Sequence, residues 1–458
     1  MSTFTGKYFT PADAGFEEAA VGRVFNHRRP SRRPNAVLLA ETQDDIIAGV
    51  KHAKEQGWSV AVRSGGHSWA AWSVREDTLL IDLGLFQEVS FDPATGIASA
   101  TPATKGGEVL DPYLQSLGRF FNGGHCPTVG IGGFLLQGGQ GWVARGWGWA
   151  AEHVVAVDLV TADGELIRAD ANQNQDLYWA ARGAGPSFPG IVTRFHLQTR
   201  PRYKHAVESV QLYKTEHFQD LLKWMYSIHD HVSPDVEIVI VSQCGPTSPN
   251  GEIERTIVVD ALTLVDDVEQ GKKNLEPFLT YPGIENAIVN IWGQETTLAA
   301  RREQQLNANP EGHRYFVDNI WVDGEPDVIA QKLDPLFTEL PEQLGFTIWY
   351  SMGPLRELPD MAFSMQSPGY VATYLVSNDE SHDAENREWL DRAMANAQSV
   401  TKGTYLGDSD FGNRQLEFLS AENYARLQKV IADRDPDGRF VRYLSKDPAN
   451  LNRNHWQL

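Results

Sequence analysis

Eight of the twenty residues from Asn122 to Gly141 are glycine. They fall in the run Asn122-Gly123-Gly124-His125-Cys126-Pro127-Thr128-Val129-Gly130-Ile131-Gly132-Gly133 and again in Gln137-Gly138-Gly139-Gln140-Gly141. That density predicts neither a regular helix nor a strand: each glycine costs a helix roughly 1 kcal/mol against alanine and gives a strand no side chain to pack. A linker would be polar and serine-rich, whereas here glycine alternates with Val, Ile, Phe and Leu. The segment reads as bare backbone packed tightly against a large, flat partner.

A second glycine loop precedes it. Ser59-Val60-Ala61-Val62 reads as a strand and runs into Arg63-Ser64-Gly65-Gly66-His67-Ser68-Trp69. Two glycines there let the backbone turn tightly and set bare N–H groups against something polar, and phosphate is the usual guest. No G-x-x-x-x-G-K-S/T occurs in the chain, so the loop is not a P-loop.

Bulk properties narrow the classes. At 458 residues the chain is long enough for two or three domains of about 150 residues each. Sixty acidic against forty basic residues leave a net charge of −20, which argues against a nucleic-acid binder and against docking on anionic membranes. The N-terminal stretch has no cationic start followed by an apolar core, no apolar run of membrane-spanning length occurs, and no Asn-x-Ser/Thr sequon is present. Two distant cysteines, Cys126 and Cys244, make a disulfide framework unexpected, and a reducing cytoplasmic setting fits.

Along the chain, Thr42-Gln43-Asp44-Asp45 resembles a capping box ahead of Ile46, Ile47, Val50 and Ala53 at helical spacing, with Gly57 as the stop. Strands are expected at Thr78–Leu83 and near Ile97–Ala100, and a helix over Gly107–Leu117. Val154–Thr161 and Glu165–Ala169 flank the turn Asp163-Gly164, a hairpin signal. Asp176–Ala181 reads as helix and Gly190–Thr199 as strand. From about 202 to 403 glycine thins out. Strand-like runs (Glu237–Ser242, Thr256–Leu262, Phe346–Tyr350) alternate there with helical ones (Phe218–His229, Asp383–Ala397), which predicts a second α+β domain. Ala421–Asp433 is a further expected helix.

Two decoys need weighing. Gly139-Gln140-Gly141-Trp142-Val143-Ala144 fits G-x-G-x-x-A, with Asp158 about twenty residues on. No clean strand precedes it, however, and Gly146 and Gly148 would sit in the required helix. His229-Asp230-His231 ends a helical run where i and i+2 share no face, so a solvated helix end is expected rather than a metal site. No metal ligands are expected. Trp349, Tyr350, Tyr370 and Tyr374 read equally as pocket lining or strand core.

The two glycine loops together resemble the berberine-bridge-enzyme-like branch of the vanillyl-alcohol-oxidase flavoprotein superfamily. Arg63-Ser64-Gly65-Gly66-His67-Ser68 and Cys126-Pro127-Thr128-Val129-Gly130-Ile131-Gly132-Gly133 fit in order, spacing and flanks. Trp179–Gly183, then Gly190-Ile191-Val192-Thr193, match the next block, and Tyr424–Phe440 matches a C-terminal one. The resemblance implies an α+β fold: a PCMH-type FAD-binding domain of two α+β subdomains, plus an α+β substrate domain with an antiparallel sheet. The expected division is 1–201 for the FAD-binding part, 202–403 for the substrate domain and 404–458 for a segment returning to the FAD side. It also implies FAD bonded covalently to His67 at the 8α carbon and to Cys126 at C6. The cofactor would be held by Arg63, Ser64, Gly65, Gly66, Ser68, Val129, Gly130, Gly132, Gly133, Gly190, Ile191 and Val192.

The implied activity is hydride transfer from a substrate C–H (alcohol, sugar, phenolic or amine) to FAD, with O2 as the acceptor giving H2O2. A dehydrogenase using another acceptor, or a non-catalytic flavin protein, are the alternatives. Gly183–Gly190 is one residue longer than the family block. Tyr405-Leu406-Gly407-Asp408 stands where relatives carry Tyr-x-Asn-Tyr. Tyr405 is the expected proton acceptor and Asp408 the alternative base. If this segment is a strand, the two point to opposite faces unless a bulge at Gly407 intervenes.

Overall fold

The computed structural model describes residues 4–246, 252–410, 414 and 416–442, so the last part of the expected C-terminal segment lies outside them. Four strands come first: β1 (Lys7–Phe9), β2 (Ala36–Leu39), β3 (Ser59–Arg63) and β4 (Thr78–Asp82), in the order β1-β2-β4-β3. Strands β2, β4 and β3 are parallel, joined by the helix Gln43–Gln56. Thr42 caps that helix by accepting the Asp45 N–H, and the Asp45 side chain answers, as the capping box predicts. Gly57 closes it at φ 73°, a left-handed position open to glycine. Ile46, Val50 and Ala53 pack on Leu79 and Ile81.

Next come β5 (Val89–Asp92), β6 (Ile97–Ala100), β7 (Arg119–Phe120), β8 (Val154–Val160), β9 (Leu166–Asp170), β10 (Ile191–Gln198) and β11 (Arg200–Pro201). Strands β5-β6-β10-β8-β9 form an antiparallel sheet in that order, and β7 pairs with β11. The β8–β9 hairpin turns through Gly164 at φ 73°, as read. The expected helix over Gly107–Leu117 is a wide turn at Gly106–Leu110 running into a helix at Asp111–Ser116. The glycine-rich segment departs from expectation too. It holds a six-residue helix, Ile131–Leu136, and a four-residue one, Ala144–Trp147, follows it. Close approach explains glycine inside the first: a Cβ on Gly132 would lie 2.8 Å from Ser64 Oγ and 2.7 Å from Pro102 Cβ.

The remaining strands are β12 (His205–Lys214), β13 (Val236–Pro246), β14 (Ile253–Val265), β15 (Val289–Thr296), β16 (Arg314–Val322), β17 (Phe346–Ser351), β18 (Gly369–Ser377) and β19 (Thr401–Gly403). They form one antiparallel sheet in the order β15-β12-β14-β13-β17-β18-β16-β19. Its faces alternate with period two. Ile238, Ile240, Ile257, Val259, Trp349 and Val371 join the core beneath the helices Phe218–Ile228, Pro326–Thr338 and Asp383–Asn396. Glu237, Val239, Val258, Asp260, Ile348 and Tyr350 face the other way, toward the glycine loops.

Two ties hold the halves together. Buried Arg145 donates to Ser233 O at 2.6 Å and Val232 O at 3.0 Å, and also to the carbonyls of His229 and Gly353. Chain past 404 returns to the first sheets: Val60 N donates to Arg439 O at 2.7 Å, and the helix Ala421–Arg434 buries Leu427, Val430 and Ile431 beside Val157 and Phe195. One expectation fails here. His229 does not sit at a solvated helix end; it is buried, with Nδ1 2.9 Å from Ser351 Oγ, because Arg145 and Ser351 close over the helix terminus.

Candidate active site

A single cavity of about 980 Å³ lies between the glycine loops and the open face of the large sheet. That is at the upper end of the roughly 300–1,000 Å³ of small-molecule sites. Every residue singled out for cofactor or catalytic work borders it, from Arg63–Ser68 through Cys126, Val129, Gly130, Gly132, Gly133 and Gly190–Val192 to Tyr405 and Asp408.

The two loops touch backbone to backbone. A Cβ on Gly65 would stand 2.6 Å from Gly130 N, and one on Gly130 would stand 2.9 Å from Gly65 N. Gly66 adopts φ 80°. Arg63 borders the cavity, but its guanidinium is engaged elsewhere. Nε donates to Asp82 Oδ2 at 2.6 Å and the Nη atoms reach the carbonyls of Ala20 and Ala19. Its role is to anchor the loop. Arg23 helps, pairing with Asp82 and donating to Ser64 O at 2.7 Å.

His67 and Cys126 converge. Thr128 Oγ1 lies 3.1 Å from His67 Nε2 and 3.5 Å from Cys126 Sγ. The His67 ring stacks on Phe25 with centroids 4.3 Å apart. Burial, helped by Lys105, pulls the His67 pKa down to about 4, so its imidazole is neutral near pH 7. Burial pushes the Cys126 thiol up.

Also bordering the cavity, Leu406–Asp408 is a single 3-10 turn and not a strand. Tyr405 and Asp408 therefore both reach the pocket, against the opposite-face expectation. The Tyr405 hydroxyl accepts the N–H groups of Gly139 and Gln140, each at 3.2 Å. Burial and then Asp408 raise its pKa, and the two amides oppose them. Asp408 accepts the Tyr370 O–H at 2.6 Å and the Trp69 Nε1–H at 3.4 Å. Its carboxyl is raised by burial, against the pull of those donors and of Tyr374. The four aromatics left open by the sequence divide: Tyr350 and Tyr374 line the cavity, Tyr370 holds Asp408, and Trp349 packs in the core on the far face.

Sequence reasoning missed the charges on the sheet. Glu237 accepts Val143 N–H at 2.8 Å and lies 2.9 Å from His125 Nε2. Arg301 pairs with Glu208 at 3.3 Å and with Asp260. A charged residue inside an apolar alternation, as in Thr256-Ile257-Val258-Val259-Asp260-Ala261-Leu262, was the available signal. Among the described residues no group of three or more His, Cys, Asp or Glu could hold a metal ion, and no helix is long and apolar enough to cross a membrane.

The donor set suits a large cofactor with a flat ring: side-chain-free loops in contact, a neutral imidazole and a thiol at one wall, and apolar residues around them. The comparisons agree. Residues 34–170 match the FAD binding domain family. FAD-linked oxidoreductase janO of Penicillium janthinellum is 36% identical over 428 residues, 92% of this chain and 94% of its own. Two solved folds are alike at lower identity. The 6-hydroxy-D-nicotine oxidase of Arthrobacter nicotinovorans has a TM-score of 0.81 and 20% identity, covering 97% of this chain and 98% of its own. Berberine bridge enzyme of Eschscholzia californica has a TM-score of 0.79 and 19% identity, covering 95% of each chain. The fold and site are those of an FAD-dependent oxidoreductase. The chain belongs to the FAD-linked oxidoreductases, and it shares its fold with berberine bridge enzyme.

Proposed function

We propose that this protein is an oxidase that removes a hydride from a C–H of a small-molecule substrate, using FAD bonded covalently to His67 and Cys126 and returning the electrons to O2. The carrying observation is the shared contact of His67 and Cys126 with the Thr128 hydroxyl, in the cavity that Tyr405 and Asp408 also border. FAD, when bound, supplies the two-electron acceptor. The residues supply the rest. The Gly65–Gly66 and Gly130–Gly133 loops offer bare backbone to the cofactor. The neutral His67 ring has a lone pair to give, and Cys126 contributes a second attachment point. Residues 1–201 and 404–442 form the cofactor side of this reading, and 202–403 the substrate side.

Loss of hydride from an alcohol or hemiacetal requires its O–H proton to be taken by a positioned group. Tyr405 is the candidate by placement: two N–H groups reach its oxygen and support a phenolate there. Burial and then Asp408 hold its pKa up on balance, so a bound substrate or cofactor has to shift that balance. Asp408 is the nearby carboxylate that can take the proton instead, its charge held by Tyr370, Tyr374 and Trp69. Anaerobic mixing with a panel of alcohols, glycosides, phenols and amines tests the reading: a substrate bleaches the flavin band, and admitting air restores it with stoichiometric H2O2. Bleaching that air restores only slowly would favour a dehydrogenase with another acceptor.

A further inference from the structure

His125 and Glu237 border the cavity and have no part in the proton and cofactor chemistry above. His125 precedes Cys126 on the glycine-rich loop, and Glu237 lies on β13 of the large sheet. The imidazole therefore leans from the loop onto the sheet face read above as the substrate side. Its ring centroid is 4.2 Å from that of Trp142 and 5.7 Å from that of Tyr350. Tyr350 is in turn 6.4 Å from Tyr370, which donates to Asp408. One aromatic ring thus links the pair to the Asp408 end of the cavity. The electrostatics agree: burial raises the Tyr350 hydroxyl, and Glu237 and then Asp408 add to it.

Glu237 fixes which ring nitrogen of His125 holds the hydrogen. Nε2 lies 2.9 and 3.1 Å from the two Glu237 oxygens, and Glu237 also accepts the Val143 N–H at 2.8 Å. A carboxylate takes hydrogen bonds and gives none, so Nε2 carries the hydrogen. In the neutral ring Nδ1 is then a bare lone pair. Nδ1 has no hydrogen-bond partner among the described residues. It is not sealed in protein either: it keeps accessible surface, on a side chain that is 13% exposed and borders the cavity. A lone pair held open in a cavity wall is an acceptor for whatever fills the cavity.

We infer that His125, oriented by Glu237, is a specificity residue whose Nδ1 receives a hydroxyl or N–H of the substrate other than the group being oxidised. This rests on the oxidase reading, in which the reacting group meets Tyr405 and Asp408, and it narrows the substrate class. The substrate carries a second donor: it is a diol, an amino alcohol or an alcohol bearing an N–H elsewhere. A molecule that brings only an ether, ester or carboxylate oxygen to this spot sets lone pair against lone pair.

The test uses the holoprotein at about pH 8, above the ordinary imidazole range. The probes are linear diols from butanediol to octanediol and the monomethyl ether of each. Binding is read from the change in flavin absorbance. The diol of best length binds the wild type roughly two- to tenfold more tightly than its ether, the worth of one hydrogen bond. Glu237→Gln separates recognition from mere tethering of the loop. Its amide oxygen still accepts the Val143 N–H and its N–H2 donates to Nε2, so the tie survives while the ring hydrogen moves to Nδ1. Nδ1 is then a donor, and the preference for the diol is lost. His125→Phe keeps a ring against Trp142 and Tyr350 without an acceptor, and loses the preference too. Folding of both variants is checked by melting temperature and flavin content. Should Glu237→Gln not fold, the wild type and His125→Phe decide. No diol binding more tightly than its ether, no binding of any probe, or an unchanged preference in either folded variant overturns the inference. Protein that carries no FAD fails the oxidase reading instead, and the comparison of diol with ether is then read through the fluorescence of Trp69, which borders the cavity.

Discussion

His67 and Cys126 come from different loops and meet at one atom, the Oγ of Thr128, at 3.1 and 3.5 Å. A single hydroxyl thereby sets the orientation of both candidate attachment groups, and the glycine contact between Gly65 and Gly130 fixes the distance between their loops.

Covalent attachment has a direct readout. Acid-precipitated wild-type protein keeps its flavin. His67→Ala and Cys126→Ala each keep it through the remaining bond, and the double variant releases it to the supernatant. Free FAD from denatured wild type would rule out the tethers.

Thr128→Val has nearly the same shape and no hydroxyl. Attachment then slows, and the fraction of purified protein with flavin bonded at both sites falls by at least half, as read by peptide mass spectrometry. Thr128→Ser restores it. Equal attachment in the valine variant would remove Thr128 from this role.

Titration of His67 shows in stability. Its folded pKa of about 4 lies below the unfolded value near 6.5, so between those values the unfolded chain binds more protons. Stability conferred by the neutral ring is present above pH 6.5 and is lost as pH falls through about 4. The full loss is about 3 kcal/mol at most. Protein produced without flavin shows this slope in urea melts between pH 6.5 and 4, and His67→Gln flattens it.

Tyr405→Phe keeps the ring and removes the hydroxyl. Flavin reduction by substrate slows by roughly 10²–10⁴-fold, the usual worth of a general base. The Gly139 and Gln140 amides also lose their acceptor, which lowers stability by about 1–3 kcal/mol. An unchanged reduction rate would leave Tyr405 a packing residue, and Asp408→Asn then asks whether the carboxylate does the work.

Gly130→Ala and Gly65→Ala drive a methyl into the opposing backbone, where no side chain can yield. Each lowers stability by about 1–3 kcal/mol and reduces flavin content. Gly123→Ala is the control, since a Cβ there meets nothing within 4 Å and the residue does not border the cavity.

The glycine loops were legible because close backbone approach leaves a local mark in composition. His67 and Cys126 could be named because each sits inside such a loop. The capping box at Thr42 and the hairpin at Gly164 were readable for the same reason. Tyr405 and Asp408 were named, with opposite faces expected if their segment were a strand without a bulge at Gly407. The tight turn at Leu406–Asp408 was hidden because Gly407 serves it by close approach: a Cβ there would lie 2.4 Å from the Tyr405 ring. Strands β12, β15, β16, β18 and β19 and the charges Glu208, Glu237 and Asp260 escaped. Their meaning depends on which strand lies beside which, and pairing between distant segments leaves no local trace.

Glu237 stands on the sheet, yet its partners, His125 and the Val143 amide, flank the loop that carries Cys126. Reshaping the floor for a new substrate at that position would disturb the seating of the cofactor. Lineages or laboratories that diversify this scaffold should find Glu237 resistant to change, while Val239 and Val258, which border the cavity without a polar tie to that loop, are freer to vary. If the cofactor seats at the Cys126 loop as proposed, specificity and cofactor loading share this one contact, and a screen for altered substrates is also a screen for retained flavin.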